Sequence, residues 1–276
     1  MNTREEALAA LAHVAAQDDD AIDLAETGLV LASLDRPRVS LDRYRDHLIE
    51  LGASVRGAVP DDASLDECVA ALNASMVERY GYQGDTQNYD DLQNANLMRV
   101  IDRKRGLPVA LSILYLHAGR AQGWAMAGVN FPGHFLVRLD RGAGRAILDP
   151  FHGGRALGTG ELRALLKSVS GQDAELSPAH YAPLGNPDIL LRLQNNIKLR
   201  QIQAGQIEAA VATLEGMLAF APAKAELWRE SGLLRARLGQ VRAALDALER
   251  FTVLETGHDE RFRIATLIQE LKSKLN

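Results

Sequence analysis

The sequence predicts an α+β protein that is mostly helical, with a small antiparallel sheet near its middle and an α-helical repeat extension at its C-terminal end. Three observations carry this. Apolar residues recur at helical spacing through the first hundred positions. Residues 134–149 switch to a period of two on both sides of a glycine-rich turn. Beyond residue 184 the chain resembles itself at a lag of 34 residues. At 276 residues one core is near its upper size, so one large or two smaller domains are expected, and the repeat divides the chain into 1–183 and 184–276.

Taken in order, Glu5–Ala16 and Ala21–Leu34 read as helices, the second stopped by Arg36-Pro37. Leu41–Leu51 and a helix from Ser64 or Leu65 to Tyr80 follow, the latter opened by the Ser64/Glu67 spacing of a capping box. Polar residues 81–93 form a loop whose Tyr80, Tyr82, Asn88 and Tyr89 either cover a pocket or pin the loop to the core. Asn96–Arg103 is a short helix, and Val109–Ala121 is apolar nearly all round, which requires burial on most sides. The hairpin runs His134–Asp140, turns at Arg141-Gly-Ala-Gly144, and returns as Arg145–Asp149. With that turn, partners across the hairpin sum to 285, so Leu136 faces Asp149 and His134 faces Phe151. His134 and Asp149 then share a face as diagonal neighbours, close enough to be bonded directly or through one water. Gly158–Lys167 is a further helix.

The repeat begins after Leu184. Gly205 recurs as Gly239, Ala210 as Ala244, Leu214 as Leu248 and Leu191 as Ala225, the period of tetratricopeptide helix pairs. The second copy is the fuller one, with Trp228, Gly232, Gly239, Ala244 and Phe251 at large and small positions. Pro222 closes the first copy where Thr256 stands in the second, and Arg261–Leu275 reads as a capping helix. Two repeats and a cap fall short of independent stability, so the array is expected to pack on what precedes it.

The chain also resembles a known family. Gly106-Leu-Pro108 opens the apolar helix, which ends near Gly123; Phe131-Pro-Gly-His134-Phe and Leu148-Asp149-Pro150 follow. This order is similar to the transglutaminase-like (papain-like) core. More narrowly, Asp20-Ala-Ile-Asp-Leu-Ala-Glu26, Arg103-Lys-Arg-Gly-Leu-Pro108, Gly128–Arg138 and Asp149-Pro-Phe-His-Gly-Gly154 together resemble the SirB1 family over nearly the whole chain, tetratricopeptide-like tail included. The resemblance implies a Gly-x-Cys thiol at the helix start, with His134 and Asp149 as its partners. Counted back from Gly123, that position falls on Pro108 or within a residue or two of it. No cysteine is near, so the dyad is a relict.

Two other nucleophiles were weighed. Cys68 shares a helical face with Leu65, Leu72 and Met76 and has Asp66 and Glu67 beside it, so it reads as an inert packing thiol. Ser112 lies one turn after Pro108, within reach of His134, but a serine inside an apolar helix is expected to bond the carbonyl four residues back. His134, His152 and Asp149 suggest a metal only weakly, because alternation along a strand sends His152 away from Asp149 unless Pro150 turns it back. No metal and no cofactor is assigned.

The formal charge of −5 argues against general nucleic-acid binding. Arg99 with Arg103-Lys-Arg105 reads as a solvated helix end, with an anion or acidic-partner patch as the alternative. No run reaches the length of a membrane span, residues 1–6 lack the apolar region of a signal peptide, and one cysteine makes no internal disulfide, so a cytoplasmic protein is expected. Three functional readings follow: a non-catalytic transglutaminase-like protein acting in binding, scaffolding or regulation through a protein or peptide partner; a hydrolase or acyltransferase on an amide or ester using His134 and Asp149 with Ser112 or water; and an adaptor working through the repeats alone.

Overall fold

The computed structural model describes residues 3–60 and 62–273. These form two compact units, one of residues 18–193 with the short stretch ahead of Glu5, the other of Glu5–Gln17 with the chain from Gln194 onward.

Helix α1 (Arg4–Val14) falls mostly in the second unit. In the first unit, α2 (Leu24–Ser33) starts later than the periodicity suggests because Asp23 caps it, its Oδ1 accepting from the Ala25 N–H at 2.9 Å and the Glu26 N–H at 3.0 Å. Helix α3 (Asp42–Arg56) runs past Leu51. Helix α4 (Leu65–Asn73) opens with both bonds of the Ser64/Glu67 capping box and continues as a wider π-helical turn through Arg79. The loop at 81–93 hides a short strand, β1 (Gln83–Gly84), which pairs in parallel with β2 (Arg105–Gly106) after α5 (Leu97–Arg103). Two residues carry no alternation, which is why the sequence does not announce them.

Helix α6 (Pro108–Arg120) is the central element, and ten of its thirteen residues are buried. It crosses one face of a five-stranded antiparallel sheet built from β3 (Ala125–Val129), β4 (Leu136–Arg141), β5 (Gly144–Asp149), β6 (Arg155–Ala156) and β7 (Pro183–Leu184), in the order β6-β5-β4-β3-β7. The approach is closest at Gly119, where a β-carbon would stand 1.9 Å from Met126 Sδ. Helix α7 (Thr159–Ser170) covers the opposite face, its Leu162 and Leu166 meeting Val129, Leu136 and Ile147. Leu184, where the sequence reading opens the second part, sits in β7 opposite Gly128.

The hairpin keeps the expected register, with Val137 opposite Leu148 and Arg138 opposite Ile147, but its turn is tighter. Arg141 pairs with Gly144, leaving Gly142 and Ala143 at the tip, and Gly142 takes φ +56° as the first residue of such a two-residue turn requires. The first strand also starts later than the alternation implies: β4 begins at Leu136, and His134 closes a turn, its N–H donating to the Phe131 carbonyl at 2.9 Å.

In the second unit, α8 (Asn186–Gln203), whose first residues to Leu193 belong to the first unit, is followed by α9 (Ile207–Phe220), α10 (Ala225–Arg237), α11 (Val241–Leu254) and α12 (His258–Ser273). Helices α9 and α11 are each 14 residues long and start 34 apart, and the glycines before them, Gly205 and Gly239, both have φ +72°. Gly232 lets α10 meet α11, since a β-carbon there would stand 2.5 Å from Leu248 Cγ. The cap begins at His258, ahead of the expected Arg261; Leu275 lies outside the described residues.

Candidate functional site

The site is where β5 ends. Asp149 is the last residue of the strand and caps the 3₁₀ turn Pro150–His152: Oδ1 accepts from the N–H groups of Phe151 at 3.1 Å and His152 at 3.3 Å. Pro150 supplies the turn, having no N–H to place in a ladder. The turn brings His152 back, and its Nδ1 lies 2.7 Å from Asp149 Oδ2. Asp149 is buried, while the His152 side chain is 53% exposed, so the ring is held at one nitrogen and largely open to solvent. Gly154 closes the loop with φ +69°, its N–H donating to the Asp149 carbonyl at 2.8 Å. Asn73 Nδ2 donates to the Gly154 carbonyl at 3.1 Å, and Tyr115 Oη donates to Asn73 Oδ1 at 3.2 Å. Helices α4 and α6 thus fix the turn from behind. Burial, with the nearby Asp149 charge second, pushes the Tyr115 hydroxyl well above its ordinary range.

His134 is placed differently from the expectation. Its carbonyl accepts from Arg192 Nη2 at 3.3 Å, whereas its imidazole makes no hydrogen bond among the described residues; the carboxylate's imidazole partner is His152. Both ends of the hairpin leave the ladder before His134 and Phe151 can oppose one another. His134 remains in the field of the site: burial lowers its pKa, the His152 and Arg192 charges lower it further, and Asp149 opposes them.

The nucleophile positions are unambiguous in their surroundings. Pro108 is the first residue of α6 and offers the helix start no side-chain donor or thiol. Ser112 is fully buried, and among the described residues its hydroxyl has no hydrogen-bond partner, the expected carbonyl four residues back included. Cys68 is 0% exposed, and burial pushes its thiol up in pKa, away from the thiolate that thioester chemistry needs. Among the described residues no three His, Cys, Asp or Glu side chains are grouped to hold a metal ion. A cleft of about 320 Å³ lies elsewhere, between Asp20, Asp23, His117 and Arg120, and none of the sequence-identified site residues lines it.

The aromatic loop is pinned to this turn. Phe151 packs where a β-carbon on Gly84 would go, 2.5 Å from its ring, and Tyr89 meets Phe151 edge-on with centroids 5.7 Å apart. Tyr82 is buried, and Asp85 Oδ1 accepts from the Asn88 N–H at 2.9 Å. Sequence reading weighed His152 only as a weak metal ligand pointing away from Asp149, and it missed Asn73 and Tyr115. The Asp-Pro dipeptide was the signal for His152; the other two come from distant helices and leave no local sign.

Comparison with known proteins agrees with this architecture. Residues 42–195 match the transglutaminase-like superfamily and residues 197–271 the tetratricopeptide repeat. A UPF0162 protein of Xylella fastidiosa is 30% identical over 88% of this chain and 87% of its own length. The UPF0162 protein of Pseudomonas aeruginosa is 29% identical over 90% of each. Human F-box only protein 21 is 36% identical over 81 residues, 29% of this chain and 13% of that protein. No described helix is long and apolar enough to cross a membrane. With its core helix, antiparallel sheet and helical repeats in the matched order, the chain belongs to the transglutaminase-like superfamily, in the SirB1-like family of UPF0162 proteins.

Proposed function

We propose that this is a non-catalytic transglutaminase-like protein of the cytoplasm that acts by binding a protein or peptide partner, as a scaffold or regulator. The observation that carries the reading is Pro108 at the start of α6, the position from which the resemblance expects a thiol. The two remaining nucleophiles support it, since Cys68 and Ser112 are both fully buried. The tetratricopeptide unit suits the binding role, because stacked helix pairs present an extended surface. The test is an acyl-transfer assay on the full chain, offering a glutamine-containing peptide and a biotinylated primary amine. No incorporation above buffer is expected, with Cys68→Ser identical to the parent. Thiol-dependent incorporation that Cys68→Ser abolishes overturns the reading.

One observation favours an enzyme instead: the buried Asp149 orients His152, whose second nitrogen is open to water, the arrangement of a general base. This second reading keeps an amide or ester substrate and takes water as the nucleophile, with His152 or His134 as base, in place of the fully buried Ser112. Its signature is hydrolysis of p-nitrophenyl acetate that falls by about a hundredfold or more in Asp149→Asn and His152→Gln. Ser112→Ala is expected to leave any such activity intact and to be neutral or stabilising by about 1 kcal/mol, because it removes a buried hydroxyl without a partner.

A further inference from the structure

The basic run Arg103-Lys-Arg105 takes no part in the site at the end of β5. Arg103 is accounted for, donating to Asn94 Oδ1 at 2.9 Å and to Asp85 Oδ2 at 3.0 Å. Lys104 is not. Only six of the chain's 31 Lys and Arg residues are lysines, and this one stands between two arginines. It ends α5 with φ 57°, the left-handed region, where no other described non-glycine residue lies. That conformation is unfavourable for a residue that carries a β-carbon.

Lys104 Nζ donates to Tyr82 Oη at 3.2 Å and lies 3.4 Å from His47 Nε2. Tyr82 Oη and His47 Nε2 are 2.7 Å apart. With His47 neutral, the phenol donates to the imidazole and accepts from the amine, giving an amine–phenol–imidazole chain. The rings of Tyr82 and Tyr80 flank the amine, with centroids 4.5 and 5.8 Å from Nζ. Among the described residues no carboxylate lies within ion-pairing distance of it, and Asp102 acts only at longer range. Burial therefore lowers the amine's pKa, and burial together with the Lys104 charge holds His47 at about 4. Tyr82 is buried, but Lys104, His47 and Tyr80 are partly exposed, so the cluster borders solvent. Arg79, stacked 5.4 Å from the Tyr80 ring centroid, and Arg105 have no carboxylate partner among the described residues and favour an anionic visitor.

We propose that Lys104, with Tyr82 and His47, forms a carbonyl-reactive site that captures a small anionic aldehyde or 2-oxo acid as an imine. A lysine on a flexible stem, its amine pKa lowered by burial, is suited to this chemistry in a way arginine is not. The Nζ lone pair adds to the carbonyl carbon as the C=O π pair moves to oxygen. The proton leaving nitrogen passes through Tyr82 to that oxygen. The carbinolamine then loses one water as the C=N bond forms, with no oxidant or reductant required. This inference is independent of whether the β5 turn is catalytic.

The experiment treats the native full chain with glyoxylate and cyanoborohydride at neutral pH and maps the reduced adducts by peptide mass. Lys104 should be labelled at least roughly tenfold faster than the exposed Lys224, with the difference vanishing in urea. Its labelling should persist to lower pH than that of Lys224, and Tyr82→Phe should slow it roughly tenfold. Equal rates or equal pH profiles for Lys104 and Lys224 in the folded protein overturn the proposal, even if Tyr82→Phe fails to fold. Full labelling in a folded Tyr82→Phe removes the relay. Propionaldehyde in place of glyoxylate should lower the preference for Lys104, and an undiminished preference removes the anionic specificity.

Discussion

At the scale of single residues, Asp149 serves the backbone with one oxygen and an imidazole with the other. The places of Asp149 at a strand end and of Pro108 at a helix start were legible in sequence, because a hairpin register and a helix start are local facts. The imidazole's identity was not legible, since it depends on a turn of three residues that overrides alternation. His47 makes the same point for electrostatics: nothing near it in sequence announces Lys104 or Tyr82. Its folded pKa of about 4 lies below the ordinary 6.5, so between those values the unfolded chain binds the extra proton. The associated stability is complete above pH 6.5 and declines as the pH falls toward 4. The urea midpoint should therefore drop from pH 7 to pH 5, and His47→Gln should drop less; an equal drop means His47 contributes nothing to acid sensitivity.

At the scale of elements, the sequence was most informative where a period runs long enough to count. The capping box at Ser64, the buried α6 and the hairpin pairing all appear where periodicity and turn chemistry put them. The two-residue strands β1, β2, β6 and β7 were invisible, being too short to alternate and held by partners far along the chain. The turn after β5 depends on one close fit. A β-carbon on Gly154 would stand 2.0 Å from Asn73 Oδ1 and 2.3 Å from Tyr115 Oη, on a backbone already at φ +69°. Gly154→Ala should cost about 2–4 kcal/mol in urea unfolding, combining left-handed strain with overpacking. A loss below about 1 kcal/mol would show that Asn73 and Tyr115 do not brace the turn.

At the scale of the whole molecule, composition and the lag of 34 already separated a sheet-bearing core from a repeat array. What they could not show is that Glu5–Gln17, at the other end of the chain, is grouped with the repeats, because membership of a core depends on contacts rather than on order. The array has a property of its own. Helices α9 and α11 have equal length and equal spacing, and each is entered through a glycine at φ +72°. A segment that begins and ends in the same conformation is a tile, and tiles can be added. Duplicating residues 206–239 in place, directly after Gly239, should lengthen the helical array without a new kind of junction. Because nearest-neighbour interfaces dominate such stacks, the longer chain should gain helical circular dichroism in proportion and unfold at a higher temperature. Aggregation or an unchanged helical signal would mean that the matching turns do not make the copies interchangeable. Growth by duplication is thus open to this unit, whereas the sheet, closed between α6 and α7 and bordered by two-residue strands, has no equivalent seam.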